Sequence, residues 1–346
     1  MSVALPLALD RQPPIYFYIS HYDRLLDCLP ETADTYLPDL KDMGISDGEY
    51  CWVLQSYLHL KANGFPCQLV GKMPDEGIVL VHRSTLPFEF RASAKLLVIC
   101  LKADKPFRPY APVHVVQNYR EAEILPHSYY LPHWTQPGLI ARDPQRGDRF
   151  ERVGFCGTYW NLAPQLQSSE WVESLQAMGL EWIVKPRSHW HDFSDLDAVL
   201  AVRRFQPEND PTWADVQGEW KPATKLYNAW QAGVPAILGR EPGFQEERRT
   251  PLDYLEVDSL EQTLAALETL KQDVTLRQEM VRNGKLRARD TVAEVRVRQW
   301  REFLLEVAVP AYWRWRQASP LVRQGFFARQ YWSYKSKAWW RRLAGS

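Results

Sequence analysis

The sequence predicts an α/β protein of two domains with a helical C-terminal extension. Three observations carry that prediction. Its short apolar runs are continuous rather than alternating, which marks strands buried on both faces, as in a parallel sheet. Over roughly residues 150 to 270, strands and helices alternate in the order that builds an α/β sheet. A length of 346 residues suffices for two domains of ordinary size.

Taken in order, IYFYIS (15–20) reads as the first buried strand. Asp47 precedes a helical stretch, Tyr50 to Asn63, which ends at Gly64 as helices commonly do. CQLVG (67–71), GIVLVH (77–82), AKLLVICL (94–101) and VHVVQN (113–118) follow as strands, spaced too closely for a helix in every connection. Residues 126–149, rich in Pro, Gly and charge, read as a domain boundary. Beyond it come a strand RVGFCG (152–157), a helix SEWVESLQAMG closed by Gly179, and strands LEWIVKP (180–186) and DAVLAVRR (197–204). A helix from Thr224 to Ala232 leads into strand VPAILG (234–239), and DYLEV (253–257) is the last short strand. Ser259, with Gln262 three residues on, matches a capping box at the start of a helix to about Gln272. Helical segments follow at roughly 274–290 and 292–317. The predicted division is therefore 1–135, 136–290 and a helical, basic and aromatic segment 291–346.

A content of 45% apolar and 24% charged residues is that of a soluble globular chain. No run approaches the ~18 apolar residues a membrane-spanning helix needs. The N-terminus lacks the basic start and long apolar core of a secretory signal, and five widely spaced cysteines show no metal-ligand pattern. A cytoplasmic location with reduced thiols is the expectation. Net charge is zero, yet Ala311–Ser346 holds eight basic residues, ten aromatics and no acid, leaving 34 basic against 42 acidic groups in the other 310 residues. Two readings of that tail stand: contact with the anionic inner face of a membrane, or a helix packing back on the first domain. In helical register Leu321, Ala328, Trp332 and Trp339 share a face, and Lys335 falls on it too. Nucleic acid ranks low as a partner, because the rest of the chain is acidic and carries no recognisable binding module.

The stretch KPATKLYNAWQAGVPAILG, Lys221 to Gly239, carries most of the functional signal. Pro222 and Thr224 suit the first turn of a helix, where unpaired amides and the helix dipole favour an anion. Lys221 and Lys225 add full charges there, and Gly233 with Pro235 turns the chain into the next strand. Arg203 and Arg204, ending strand 197–204, lead into the same region, beyond the carboxyl ends of the strands where open α/β sheets bind ligands. The combination fits a diphosphate group without a dedicated metal cage. An ordinary amphipathic helix with solvated lysines is the competing reading.

NAWQAGVPAI resembles the EAMAxGxPVI segment in the C-terminal domain of GT-B fold glycosyltransferases, and KPATKL before it resembles the nucleotide-sugar site of several such enzymes. The similarity covers residues 150 to 270. It implies two Rossmann-like domains facing a cleft, with a nucleotide-sugar donor bound mainly by the C-terminal one and a saccharide or lipid-linked acceptor mainly by the N-terminal one. It further implies that Gly157 and Thr158 lie in a loop near the diphosphate, a plain β–α turn being the competing reading, and that Asn228 can hydrogen-bond a ribose or sugar hydroxyl. Lys185 and Arg187, after the next strand, either meet phosphate or are surface charge. Many retaining members carry two glutamates eight positions apart; here those positions hold Trp220, with Glu219 beside it, and Asn228. The stereochemical outcome is therefore open. No cofactor is implied, the nucleotide-sugar being a substrate. A non-catalytic binding or assembly protein on the same scaffold, and a nucleotide-sugar epimerase, are the alternatives.

An inverting transfer also needs a base for the acceptor hydroxyl. His21, His82 and Asp104 stand at strand ends of the first domain and are the candidates by position. His189, His191 and Asp192 read as a polar loop rather than a metal site, DLD (195–197) opens an apolar strand, and the Glu246–Glu247 pair reads as solvated charge. No metal requirement is expected.

Overall fold

A computed structural model describes residues 12–20, 22–25, 29–39, 44–205 and 220–344. The chain forms two compact units: Met1–Thr32, Met43–Leu131 and Val297–Ser346 in the first, Ala33–Asp42 and Pro132–Arg296 in the second.

In the first unit six strands pair in parallel: β1 (Ile15–Tyr18), β2 (Gln68–Val70), β3 (Gly77–His82), β4 (Leu96–Leu101), β5 (Val113–Val116) and β6 (Ser128–Tyr130), in the spatial order β2-β1-β3-β4-β5-β6. Every residue of β3 and β4 is buried, which is why their sequences show no polar alternation. A short helix, Tyr22–Leu25, follows β1, and the helical stretch expected from Tyr50 begins at Asp47, earlier than its apolar residues suggest. Ser46 caps it in a reciprocal box with Glu49, whose carboxylate also accepts from the Thr85 hydroxyl at 2.8 Å. One turn, Tyr50–Leu54, is wound as π-helix before Gln55–Ala62 continues.

The C-terminal helices return to this unit. Trp300, 1% exposed, lies 6.2 Å from Phe17 and 6.3 Å from Trp52, centroid to centroid. Helix Val309–Gln317 packs on β3 and β4, and Trp315 Nε1 donates to the Ser93 carbonyl at 2.8 Å. A final helix, Pro320–Ala344, sets Phe326 and Phe327 against Trp315, Phe327 against Tyr110, and Tyr334 against Phe88. Among the described residues no helix is long and apolar enough to cross a membrane.

The second unit is built on β7 (Arg152–Cys156), β8 (Glu181–Lys185), β9 (Ala198–Ala201), β10 (Ala236–Gly239) and β11 (Leu255–Val257), all parallel, in the order β11-β10-β9-β7-β8. The helix Thr224–Ala232 forms where the sequence places it and ends at Gly233, whose φ of 71° is left-handed and favours glycine. Strand 197–204 is shorter than its apolar run suggests, because β9 ends at Ala201. Ser259 caps helix Leu260–Gln272 by accepting from the Gln262 amide, but the Gln262 side chain accepts from Asp258 rather than closing the box on Ser259. The two units, each a parallel sheet with helices, constitute a GT-B fold.

Candidate functional site

The chain leaves β7 for β8 on one side and returns to place β9 on the other, so the order reverses between β7 and β9. In open α/β sheets such a switch point opens a crevice beyond the carboxyl ends of the strands. A cavity of about 140 Å³ lies there, lined by Phe155 of β7, Ala201 of β9, Arg203, Glu241 and the start of the Thr224–Ala232 helix. Sites that enclose a whole drug-sized ligand run to roughly 300–1,000 Å³. This cavity is sized for the charged part of a larger molecule.

Its walls are cationic and donor-rich. Lys221, Lys225 and Arg203 line it against one acid, Glu241. Arg203 is held by Glu241 through two contacts, with Nε 3.0 Å from Oε1 and a closer second pair, so its guanidinium is oriented before any ligand arrives. Among the described residues no side chain caps the helix at Ala223 and its first turn holds no acid, so its first amides and dipole favour an anion. Thr224 lines the cavity, and its Oγ1 is buried with no hydrogen-bond partner among the described residues. Lys225 Nζ donates to the Cys156 carbonyl at 3.2 Å and sits 5.1 Å from the centre of the Phe155 ring. Burial holds the Lys225 pKa below its usual value, with Arg203 and Lys221 adding to the depression and Glu241 opposing it. An anion entering here would relieve that cost. Burial pushes the neighbouring Cys156 thiol up to about 12, which leaves it un-ionised and unreactive at neutral pH.

Of the residues the sequence singles out, Arg203, Lys221, Thr224 and Lys225 come together in this cavity. Gly157 stands beside it: a Cβ there would lie 2.8 Å from Lys225 Nζ and 3.0 Å from the Phe155 ring. Thr158 follows, exposed to solvent. The others are engaged elsewhere. Lys185, at the end of β8, pairs with Asp195 at 2.5 Å. Arg187 donates to the Pro38 carbonyl at 2.7 Å and lies over the Trp190 ring. Asn228 is buried, and its Oδ1 accepts from the Gln136 amide at 2.9 Å, pinning the loop ahead of β7. Trp220 is buried, and Glu219 lies outside the described residues.

His82 ends β3 and is 2% exposed, with Nε2 packed against Gly48 and without a hydrogen-bond partner among the described residues. Burial lowers its pKa to about 4, while Glu49 and Asp104 oppose the shift. It is neutral at physiological pH, as a base must be, but closed to a solvent-borne hydroxyl. His21 lies outside the described residues. The polar loop makes contacts away from the cavity: His191 stacks on Tyr36 at 4.1 Å, Asp192 accepts from Ser194, and Ser188 Oγ lies 2.8 Å from His189 Nδ1. Asp197 of DLD accepts from Arg142, Arg146 and the amides of Glu151 and Arg152. Among the described residues no three His, Cys, Asp or Glu side chains gather as a metal site. Glu247, read from sequence as solvated, accepts from the Tyr227 hydroxyl at 2.6 Å. The lining roles of Phe155, Asn161 and Glu241 were not anticipated, and Glu241 reaches Arg203 across 38 residues with no local pattern to announce it.

Parallel sheets in both units and a switch-point cavity at a helix N-terminus define the architecture of a GT-B protein. No family model matches the chain, and no curated protein matches it by sequence. Solved structures do match its fold. Sucrose-phosphate synthase from Thermosynechococcus elongatus is similar with a TM-score of 0.56 at 10% identity, over 86% of this chain and 99% of that one. Anabaena HepE, solved with UDP and glucose, is similar with a TM-score of 0.47 at 10% identity, over 86% of this chain and 100% of that one. The pneumococcal O-GlcNAc transferase GtfA, solved with UDP and GlcNAc, has a TM-score of 0.47 at 12% identity, over 74% of this chain and 60% of that one.

Proposed function

We propose that the protein is a glycosyltransferase that grips the diphosphate of a nucleotide-sugar in the switch-point cavity and transfers the sugar to a saccharide acceptor without a required metal ion. One observation carries the reading: three cations and, among the described residues, uncapped helix amides and an unpartnered Thr224 hydroxyl converge on a cavity of about 140 Å³. The GT-B fold, shared with sucrose-phosphate synthase, supports it. In the transfer step the bond from the anomeric carbon to the diphosphate oxygen breaks, a bond to the acceptor hydroxyl oxygen forms, the hydroxyl proton passes to solvent, and negative charge builds on the leaving group. In this reading Lys221, Lys225, Arg203 and the amides of Thr224 and Lys225, at the cavity, stabilise that charge, as electrostatic catalysis requires.

A thermal-shift panel of UDP-, GDP-, ADP- and TDP-sugars tests donor binding, because a ligand that binds only the native state raises its stability with the logarithm of concentration over Kd. One nucleotide class is expected to raise Tm, and Lys225→Met to reduce the rise; no shift with any of the four contradicts the reading. Sugar transfer is expected to persist in excess EDTA. A second reading, a non-catalytic binding protein, draws support from Asn228, which stands where many retaining enzymes carry a glutamate and is committed to the Gln136 amide. Donor-induced stabilisation with no sugar released or transferred over long incubation would favour that second reading.

A further inference from the structure

We infer that the outward face of the C-terminal helix Pro320–Ala344 is a docking surface for an anionic lipid bilayer. The inference stands apart from the donor site and goes beyond it. The helix is two-sided. Arg323, Phe326, Phe327 and Gln330 are the half-buried side, and Arg91 lies over the Phe327 ring while Phe326 faces His127. At 100° per residue the opposite side is centred on Leu321, Gly325, Ala328 and Trp332. Leu321 is 79% exposed, Trp332 70% and the adjoining Val322 61%, while a Cβ placed on Gly325 would point into open space among the described residues.

Arg329 and Lys335 are exposed and flank this apolar line on either side. From Ala311 to the end of the chain there is no acidic residue and there are eight basic ones, although the remainder of the chain is net acidic. Charge complementarity therefore selects the occupant. An apolar protein partner would not need cations on both flanks of the line, and a second copy would bring the same charge against itself. A bilayer with anionic headgroups meets both requirements: acyl chains for Leu321 and Trp332, phosphates for Arg329 and Lys335. The helix lies in the interface and does not cross it. Such a contact suits an acceptor that is itself anchored in lipid.

The test is flotation of the purified full chain with phosphatidylcholine vesicles and with vesicles of equal parts phosphatidylcholine and phosphatidylglycerol. The chain is expected to float with the anionic vesicles, to stay behind with the neutral ones, and to release at high salt as the headgroup charge is screened. Two double variants, Leu321→Glu with Trp332→Glu and Arg329→Glu with Lys335→Glu, change only exposed side chains. Each is expected to keep the wild-type Tm and any nucleotide-sugar shift, and to lower anionic-vesicle partitioning roughly tenfold or more. Absence of flotation by the wild type, equal flotation with neutral vesicles, or undiminished flotation by both variants overturns the proposal. So does a dimer in sedimentation that Leu321→Glu dissolves, which would make the face a self-association surface. The nucleotide-sugar shift reads the donor site separately, so either proposal can fail alone.

Discussion

Lys225 is a lysine placed where a lysine is least comfortable, against an aromatic ring and beside two other cations. The arrangement costs stability and is recovered when an anion binds. Lys225→Met is therefore expected to weaken nucleotide-sugar binding by roughly ten- to a hundredfold without lowering the Tm of the free protein. Gly157→Ala probes the same point from the other side. Its Cβ, 2.8 Å from Nζ, moves the ammonium off the Cys156 carbonyl. Calorimetric titration of the preferred donor should show weaker binding by about tenfold at little cost in stability. Half of this cavity is legible in the sequence, since Thr224 and Lys225 open one helix and Lys221 leads into it. Lys185 and Arg187 are not distinguishable from them by type or position. Only folding reveals that Asp195 and the Pro38 carbonyl already hold them.

Elements follow the sequence where burial is complete. β3 and β4, buried at every residue, appear as unbroken apolar runs with the bounds those runs suggest within two residues. The half-exposed β6 and the short helices Tyr119–Ile124 and Pro242–Glu247 have no such signature, and a π-turn leaves no periodicity to read. The start at Asp47 is marked by Ser46 and Glu49, the serine-to-glutamate spacing of a capping box, which apolar periodicity alone passes over. The helix Thr224–Ala232 is tied to the loop ahead of β7 by Asn228. Asn228→Leu leaves the Gln136 amide unpaired and is expected to cost about 1–3 kcal/mol in denaturant unfolding. Asn228→Asp keeps the acceptor and should cost less.

For the molecule as a whole, pH acts through two histidines buried in the first unit. His114, fully buried and stacked on Phe107 at 4.0 Å, has its pKa lowered to about 3 by burial, with the Lys102 charge adding to the shift. His82 is lowered to about 4, with Lys105 and Arg83 facing it as well as Glu49 and Asp104. In the unfolded chain both take up a proton near pH 6.5, while the native state does not. Below that pH the unfolded state binds more protons, so stability falls as the solution is acidified. Between pH 7 and pH 5 the loss is about 2 kcal/mol for each histidine. Urea midpoints at the two pH values should record it, and His114→Leu should remove about half of the difference; an unchanged difference would contradict the assignment.

The first unit is assembled from both ends of the chain, with Trp300 packed into residues laid down near its beginning. On a ribosome the unit holding Pro132–Arg296 is therefore synthesised in full while its neighbour still lacks the indole that closes it. Birth order and position in the chain run opposite: the later-encoded lobe can mature first, and the earlier one waits, with Phe17 and Trp52 uncovered, until the last fifty residues emerge.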